Sequence, residues 1–244
     1  MKLYQPGCQK AITKNWADQE CRISIYCWEK ALERAMKILI FDFDGTLADS
    51  FEAVLKISNR LAAEFGYPIA RAEDIDRLKN LSSRDVIKQS QISPFKLPFL
   101  LRRLRRELNQ EIPNLRPIAN IKTTLLALKQ KGYRLGIVSS NSYDNVMAFL
   151  KTQELEDLFE FVGSGLALFG KGRVIQRMIR QHDLDPRQVV YVGDETRDIE
   201  AARKIGIQVI AVSWGFNSSQ ALAAESPDFL IHQPVDLLQV LEWA

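Results

Sequence analysis

Ile38-Leu39-Ile40-Phe41-Asp42-Phe43-Asp44-Gly45-Thr46-Leu47-Ala48-Asp49-Ser50 is the stretch that decides the fold. Its first four residues are an unbroken apolar run, as expected of a strand buried on both faces. Two aspartates follow at i and i+2, so an extended backbone points them to the same side. Gly45 then permits a sharp turn. A pair of carboxylates is thereby predicted at the carboxyl edge of a parallel sheet, where open α/β folds place their chemistry. Unpaired, the two acids repel one another and are costly to desolvate. A bound cation and a phosphoryl substrate would relieve both difficulties.

Downstream of Asp49 the pattern turns helical. Phe51, Val54, Leu55, Ser58 and Leu61 recur at three- and four-residue steps until Gly66-Tyr67-Pro68. Asp49 and Ser50 read as the N-cap of that helix. Further helices are predicted over 72–80, 82–90 and 98–110, with no strand between Ser50 and Pro117. The α/β rhythm then resumes. Strands are predicted at 134–139, 159–163, 188–192, 207–212 and 228–231, alternating with helices at 118–131, 142–151, 174–182, 198–205 and 235–243. Such alternation implies parallel crossovers and a doubly wound, Rossmann-like sheet covered on both faces. An all-helical insertion follows the first strand. The expected division is an extension at 1–35, an α/β core of 36–49 with 117–244, and a helical block of 50–116.

The 244 residues are 46% hydrophobic and 26% charged, which suits one domain carrying a sizeable insertion. A net charge of +3 is too mild to argue for nucleic acid. No apolar run approaches the roughly 20 residues that span a membrane. Cys8, Cys21 and Cys27 fit neither a disulfide framework nor a zinc site, so free thiols and a cytoplasmic location are expected. Two histidines, His182 and His232, cannot supply a histidine cluster, and His182 reads as a structural residue at a helix end. Met36, followed at once by the first strand, reads as a natural start, so residues 1–35 are expected to be dispensable.

Three strand ends carry chemistry. The first holds Asp42 and Asp44, the second Ser139-Ser140-Asn141, and a later one Gly193-Asp194-Glu195-Thr196-Arg197-Asp198. Lys171 lies between two glycines, in what reads as a loop before a helix. A carboxylate can attack phosphorus, and a second carboxyl can protonate the leaving alkoxide and then deprotonate water. Magnesium prefers oxygen ligands. A hydroxyl and a lysine can hold phosphoryl oxygens as charge spreads over them.

Asp42-Phe43-Asp44-Gly45-Thr46, Ser139 after Leu135-Gly136-Ile137-Val138, Lys171, and Gly193-Asp194 with Asp198 stand in the order of the four motifs of the haloacid dehalogenase superfamily. The chain from Met36 to about Trp243 resembles that superfamily, most closely its phosphoglycolate phosphatase group, and the helical block matches the family's inserted cap. The resemblance implies a Mg2+-dependent phosphatase acting on a small phosphorylated metabolite. It makes Asp42 the nucleophile that forms an aspartyl-phosphate and Asp44 the general acid/base. Mg2+ would be held by Asp42, the Asp44 backbone carbonyl and Asp194, with Asp198 and Gly193 supporting the metal shell. Ser139 and Lys171 would hold the phosphoryl group. Asp44 favours phosphate esters, because the superfamily's dehalogenases, whose halide needs no proton, lack it. Glu195 replaces a common serine, which would make the metal shell more anionic. The alternatives are a phosphomutase of the same superfamily and a non-enzymatic phospho-receiver domain.

The helical block from Ser50 to Leu115 holds 12 Lys and Arg against 8 Asp and Glu, so a basic lid above an acidic floor would attract anions. Arg102, Arg103, Arg105 and Arg106 lie opposite a leucine stripe and read as a solvated face. Arg173 and Arg197 read as surface residues. Arg84, at a predicted helix start, is the candidate cap contact to substrate.

Overall fold

The structure is a computed structural model and describes residues 37–165 and 170–242. The expectations for residues 1–35, the three cysteines included, lie outside the described residues. In chain order the elements are β1 (Ile38–Phe41), α1 (Phe51–Phe65), α2 (Ile75–Lys79), α3 (Ser83–Gln89), α4 (Leu97–Glu111), α5 (Ile121–Gln130), β2 (Arg134–Ser139), α6 (Tyr143–Thr152), β3 (Phe161–Ser164), α7 (Lys171–Gln181), β4 (Val189–Gly193), α8 (Thr196–Ile205), β5 (Gln208–Val212), α9 (Ser219–Ala224), β6 (Phe229–Ile231) and α10 (Leu237–Val240).

The six strands are parallel, in the order β3-β2-β1-β4-β5-β6. Strand order therefore reverses between β1 and β4, and a crevice opens at their carboxyl ends. Alternation along β1 divides the core. Leu39 and Phe41 pack on one face with residues of α5 and α6, while Ile38 and Ile40 pack on the other with α7, α8 and α9. Both faces are thus covered, and all four β1 side chains are buried.

The helical segment leaves the sheet just after β1 and returns just before α5. Its two connections pair with one another: Asp49 N donates to Arg116 O at 2.9 Å, and Ile118 N donates to Leu47 O at 2.9 Å. Between them, α1 and α4 pack side by side through Ile57, Leu61, Leu104 and Leu108. Gly66 ends α1 in the left-handed region at φ 77°, as its position after an apolar stripe predicts.

Three local expectations change. Ser50 stands at the N-cap of α1 but makes no side-chain cap bond; its backbone is already helical and its hydroxyl is buried toward Asp44. Helix α7 begins at Lys171, three residues before the expected start, because two glycines of low helix propensity mask its first turn. Helix α9 has no counterpart in the sequence reading; its short Ser-capped alanine run lacks an amphipathic period. His182 is structural, as expected, closing α7 with its ring stacked on Phe161 at 4.4 Å.

Candidate active site

Asp42 extends the β1–β4 ladder by one residue, its N–H donating to Val192 O at 2.8 Å. One carboxylate oxygen accepts from Phe43 N at 2.8 Å and the other from Lys171 Nζ at 2.5 Å. The chain then turns through Gly45 at φ +76°. A Cβ there would stand 2.3 Å from Asp194 Oδ2 and 2.5 Å from the Phe216 ring, so glycine is required by both backbone and space.

That turn aims Thr46 at the end of the neighbouring strand, where its hydroxyl donates to Asp194 Oδ1 at 2.6 Å. Phe216 N donates to Asp194 Oδ2 at 2.8 Å. One turn into α8, Asp198 accepts from Glu195 N at 3.1 Å and from the Lys171 ammonium, forming a capping box at the helix start. Gly193 makes room for it, since a Cβ would fall 2.3 Å from Asp198 Oδ2. Strand pairing at the order reversal thus brings Asp42, Asp194, Asp198 and Lys171 together, although they lie up to 156 residues apart in sequence.

Carboxylate oxygens of Asp42, Asp194 and Asp198 lie within 4.8 Å of one another, all buried. Burial is the main cause that lifts the pKa of each. Asp194 lies well above the usual carboxylate range, with Asp42, Glu195 and Asp198 adding to the rise. Asp198 is pushed up to about 6, with the Lys171 ammonium opposing. Burial also works against the charge of Lys171, but Asp198 and Asp42 outweigh it and keep the ammonium protonated. Three buried acids against one lysine leave an anionic, all-oxygen donor set. That set fits a hard divalent cation, whose charge would lower the cost of keeping the acids ionised.

Asp44 lies above this floor. Its Oδ2 accepts from Asn141 Nδ2 at 3.0 Å, while its buried Oδ1 has no hydrogen-bond partner. Burial raises its pKa, against opposing help from Ser50 and Asn141, so it holds a proton to higher pH than an ordinary aspartate. Asn141 is fixed by Asn145, which pairs in turn with Asn109 of α4. Ser139 is buried beneath, its Oγ accepting from Asn141 N at 2.9 Å, which leaves the hydroxyl proton to donate. Ser140 is the serine that faces the cavity above.

That cavity, of about 500 Å3, lies between the helical segment and the strand ends. Its floor is Asp44, Asn141, Glu195 and Arg197, and its walls include Phe51, Leu78, Val86 and Leu104. Arg84 is not among its lining residues. Arg84 pairs with Glu200 of α8 at 3.4 Å and lines a second groove together with Lys171 and Arg197, whereas the neighbouring Ser83 hydroxyl reaches Glu195. Glu195 is likewise outside the acidic cluster; it pairs with Arg197, and its pKa falls below the usual value because Arg197 and Lys171 overcome the effect of burial.

Two further residues stand where the sequence reading did not place them. Arg197, read as surface, is largely buried against Glu195, and its Nε–H has no acceptor. Arg105, read as solvated, is half-buried and lines the cavity. Each carried a signal. Arg197 is a cation in the first turn of a helix, against the dipole, which asks for a local anion. Arg105 falls four residues after Leu101 and three before Leu108, on the edge of the buried stripe.

The chain is similar to known proteins. Residues 39–212 match the model of the haloacid dehalogenase-like hydrolases. A phosphoglycolate phosphatase of Synechococcus elongatus is 41% identical over 206 residues, covering 84% of this chain and 97% of that protein. A phosphoglycolate phosphatase of Vibrio cholerae is 28% identical over 223 residues, covering 85% and 98%. Among solved structures, a haloacid dehalogenase-like protein of Streptococcus pneumoniae superposes with a TM-score of 0.71 at 24% identity, covering 85% of this chain and 99% of that one. At that identity the likeness speaks for the fold alone. No helix among the described residues is long and apolar enough to cross a membrane.

Proposed function

The chain belongs to the haloacid dehalogenase-like hydrolase family, and from that premise we propose that it is a Mg2+-dependent phosphatase acting on a small phosphorylated metabolite, a phosphoglycolate-like monoester. Membership of a hydrolase family sets aside the non-enzymatic receiver reading. One observation carries the proposal: Asp42, just after β1, meets Asp194, Asp198 and Lys171 at the strand-order reversal, with Asp44 two residues further on. The names of the relatives supply phosphoglycolate as the first substrate to test.

The residues divide the reaction into two displacements. An Asp42 oxygen attacks phosphorus, and the P–O bond to the leaving alcohol breaks. Asp44, whose burial favours the protonated form, gives its proton to the departing oxygen. Asp44, now ionised, takes a proton from water, which attacks the aspartyl-phosphate, releases phosphate and restores Asp42. Lys171 and Ser139 hold the phosphoryl oxygens. Asp42, the Asp44 backbone carbonyl and Asp194 would hold Mg2+, with Asp198 and Gly193 supporting the shell; when bound, the ion supplies positive charge between carboxylate and phosphoryl oxygens that would otherwise repel. The helical block of 50–116 acts as a cap that keeps bulk water from the intermediate.

The test is release of phosphate from 2-phosphoglycolate and a panel of other phosphomonoesters, with Mg2+ and with chelator. Release that needs the metal, with 2-phosphoglycolate turned over most efficiently, is the expected result. A protein that frees no phosphate from any ester in the presence of Mg2+ is not this enzyme.

A further inference from the structure

The cavity is lined by two guanidiniums, and only one of them is paired with a carboxylate. Arg197 is engaged by Glu195. Arg105 has no hydrogen bond or ion pair to its guanidinium among the described residues; its backbone carbonyl accepts from Asn145 at 3.5 Å. Both arginines line the same cavity, with Asp44 and Asn141 between the helical segment and the sheet. Burial lowers the pKa of Arg105 and the nearby Arg197 adds to the fall, while the Asp44 carboxylate opposes both. A half-buried, unpaired arginine facing a second arginine is unfavourable unless an anion completes the set. The Arg197 Nε–H, buried without an acceptor, is a second unmet donor at the same place.

The position of Arg105 says which part of a substrate it would meet. Lys171 and Ser139, which would hold the phosphoryl group, are buried and do not line that cavity. Arg105 comes from α4 and lines the same cavity as Asp44, whose carboxylate favours the charged guanidinium. Asp44 is the residue that protonates the leaving oxygen in the mechanism above. Arg105 therefore stands beside the alcohol portion of the ester.

On the reading of the site as a phosphomonoesterase, we propose that Arg105 is the specificity residue for the leaving group and that it pairs with a carboxylate carried there. Substrates would be phosphate esters of small hydroxy acids, with the Arg105 guanidinium bound to the acid group and Asp44 beside the ester oxygen. An arginine suits this task because its planar fork matches a carboxylate in two parallel hydrogen bonds. The sequence neighbours do not share the role: Arg103 is paired with Glu107 at 2.7 Å, and Arg102 and Arg106 are exposed.

The experiment compares 2-phosphoglycolate with its neutral isostere, 2-phosphoglycolamide, in the parent and in Arg105→Leu and Arg105→Lys. The readout is the ratio of kcat/KM for the two esters. The parent favours the acid, and Arg105→Leu lowers that ratio on the order of 30-fold, as loss of a charged hydrogen-bonded pair should; Arg105→Lys recovers part of it. An unchanged ratio, or equal loss on both esters, overturns the assignment. Calorimetric titration of 2-phosphoglycolate into Asp42→Asn protein, with and without Arg105→Leu, separates the two levels of inference. If no ester is turned over yet binding still weakens on loss of Arg105, the carboxylate site stands and the phosphatase reading falls. If turnover is normal and binding ignores Arg105, the reverse holds.

Discussion

The strand-end floor and the helical segment above it solve opposite problems. On the floor, every acid of the cluster is buried and tied: Asp42 to Lys171, Asp194 to Thr46 and Phe216, Asp198 to Glu195 and Lys171. Such a network is costly to assemble and rigid once made. The helical segment borders a largely apolar cavity and meets the rest of the protein through polar contacts near its ends and rim, among them Ser83 to Glu195, Asn109 to Asn145, Lys79 to Gly215, Arg84 to Glu200, and Asn217 to Lys79 and Leu81. The floor is built for one reaction geometry. On the proposed reading, the segment admits and sorts what reaches the floor. Chemistry should therefore fail abruptly when the floor is altered, whereas changes above should move selectivity and binding by degrees.

The largest effect tests the floor. Asp42→Asn keeps shape and the bond from Phe43 N but removes the attacking oxygen, so phosphate release should fall by about 10^4-fold or more, while circular dichroism and unfolding stay near the parent. Turnover within tenfold of the parent would place the nucleophile elsewhere. Lys171→Met should cost both function and stability. It leaves Asp42 and Asp198 buried without their shared cation, a loss of about 3–5 kcal/mol, and kcat should drop about 10^2- to 10^3-fold. Mg2+ should restore part of the lost melting temperature, and more than it adds to the parent, because an ion that binds only the folded cluster stabilises by mass action. A parent and variant equally indifferent to Mg2+ would separate the acidic cluster from any metal.

The same contrast explains what could be read in advance. Asp42, Asp44, Asp194 and Asp198 were legible because each closes a local pattern: an apolar run gives the strand, a period of two gives the side, and a glycine gives the turn. Parallel pairing then leaves few ways to join strand ends. Lys171 was legible as a residue but not in its setting, since Gly170 and Gly172 hide the helix turn that holds it. Arg84 stands away from the main cavity for the opposite reason. A serine-capped helix start is a local signal, and it was correct, with Ser82 accepting from Asp85 N; which way that start faces is tertiary, and it turns Arg84 toward Glu200. Arg105 and Arg197 show the limit most clearly. A helix wheel assumes one buried and one solvated face. Helix α4 instead borders both a packed core and a cavity, so a residue at the edge of its stripe is neither.

Packing gives a smaller test of the same division. Leu39, in the middle of β1, is wholly buried, whereas Leu104 lies on the cavity wall. Truncation to alanine should cost about 2–5 kcal/mol at Leu39, where a new void forms among fixed neighbours. At Leu104 the side chain already faces open space, so about 1 kcal/mol is expected. Denaturant unfolding of the two variants measures the difference. Equal losses would mean that the helical segment is packed as tightly as the sheet, against the division drawn above.

The smallest effect concerns the contact that joins the two regions. Ser83 donates to Glu195, whose other oxygen takes Arg197, so one carboxylate links α3 to the mouth of the site. Ser83→Ala removes a single bond from a part-exposed pair, and Glu195 keeps Arg197. Stability should change by about 1 kcal/mol or less. The chemistry on the floor does not involve Ser83, so kcat should hold while KM rises about threefold, as expected when uniform binding is weakened and transition-state contacts are kept. A drop in kcat with KM unchanged would mean that Glu195 must be held by the helical segment for the floor to work, and the two regions would then act as one catalytic unit.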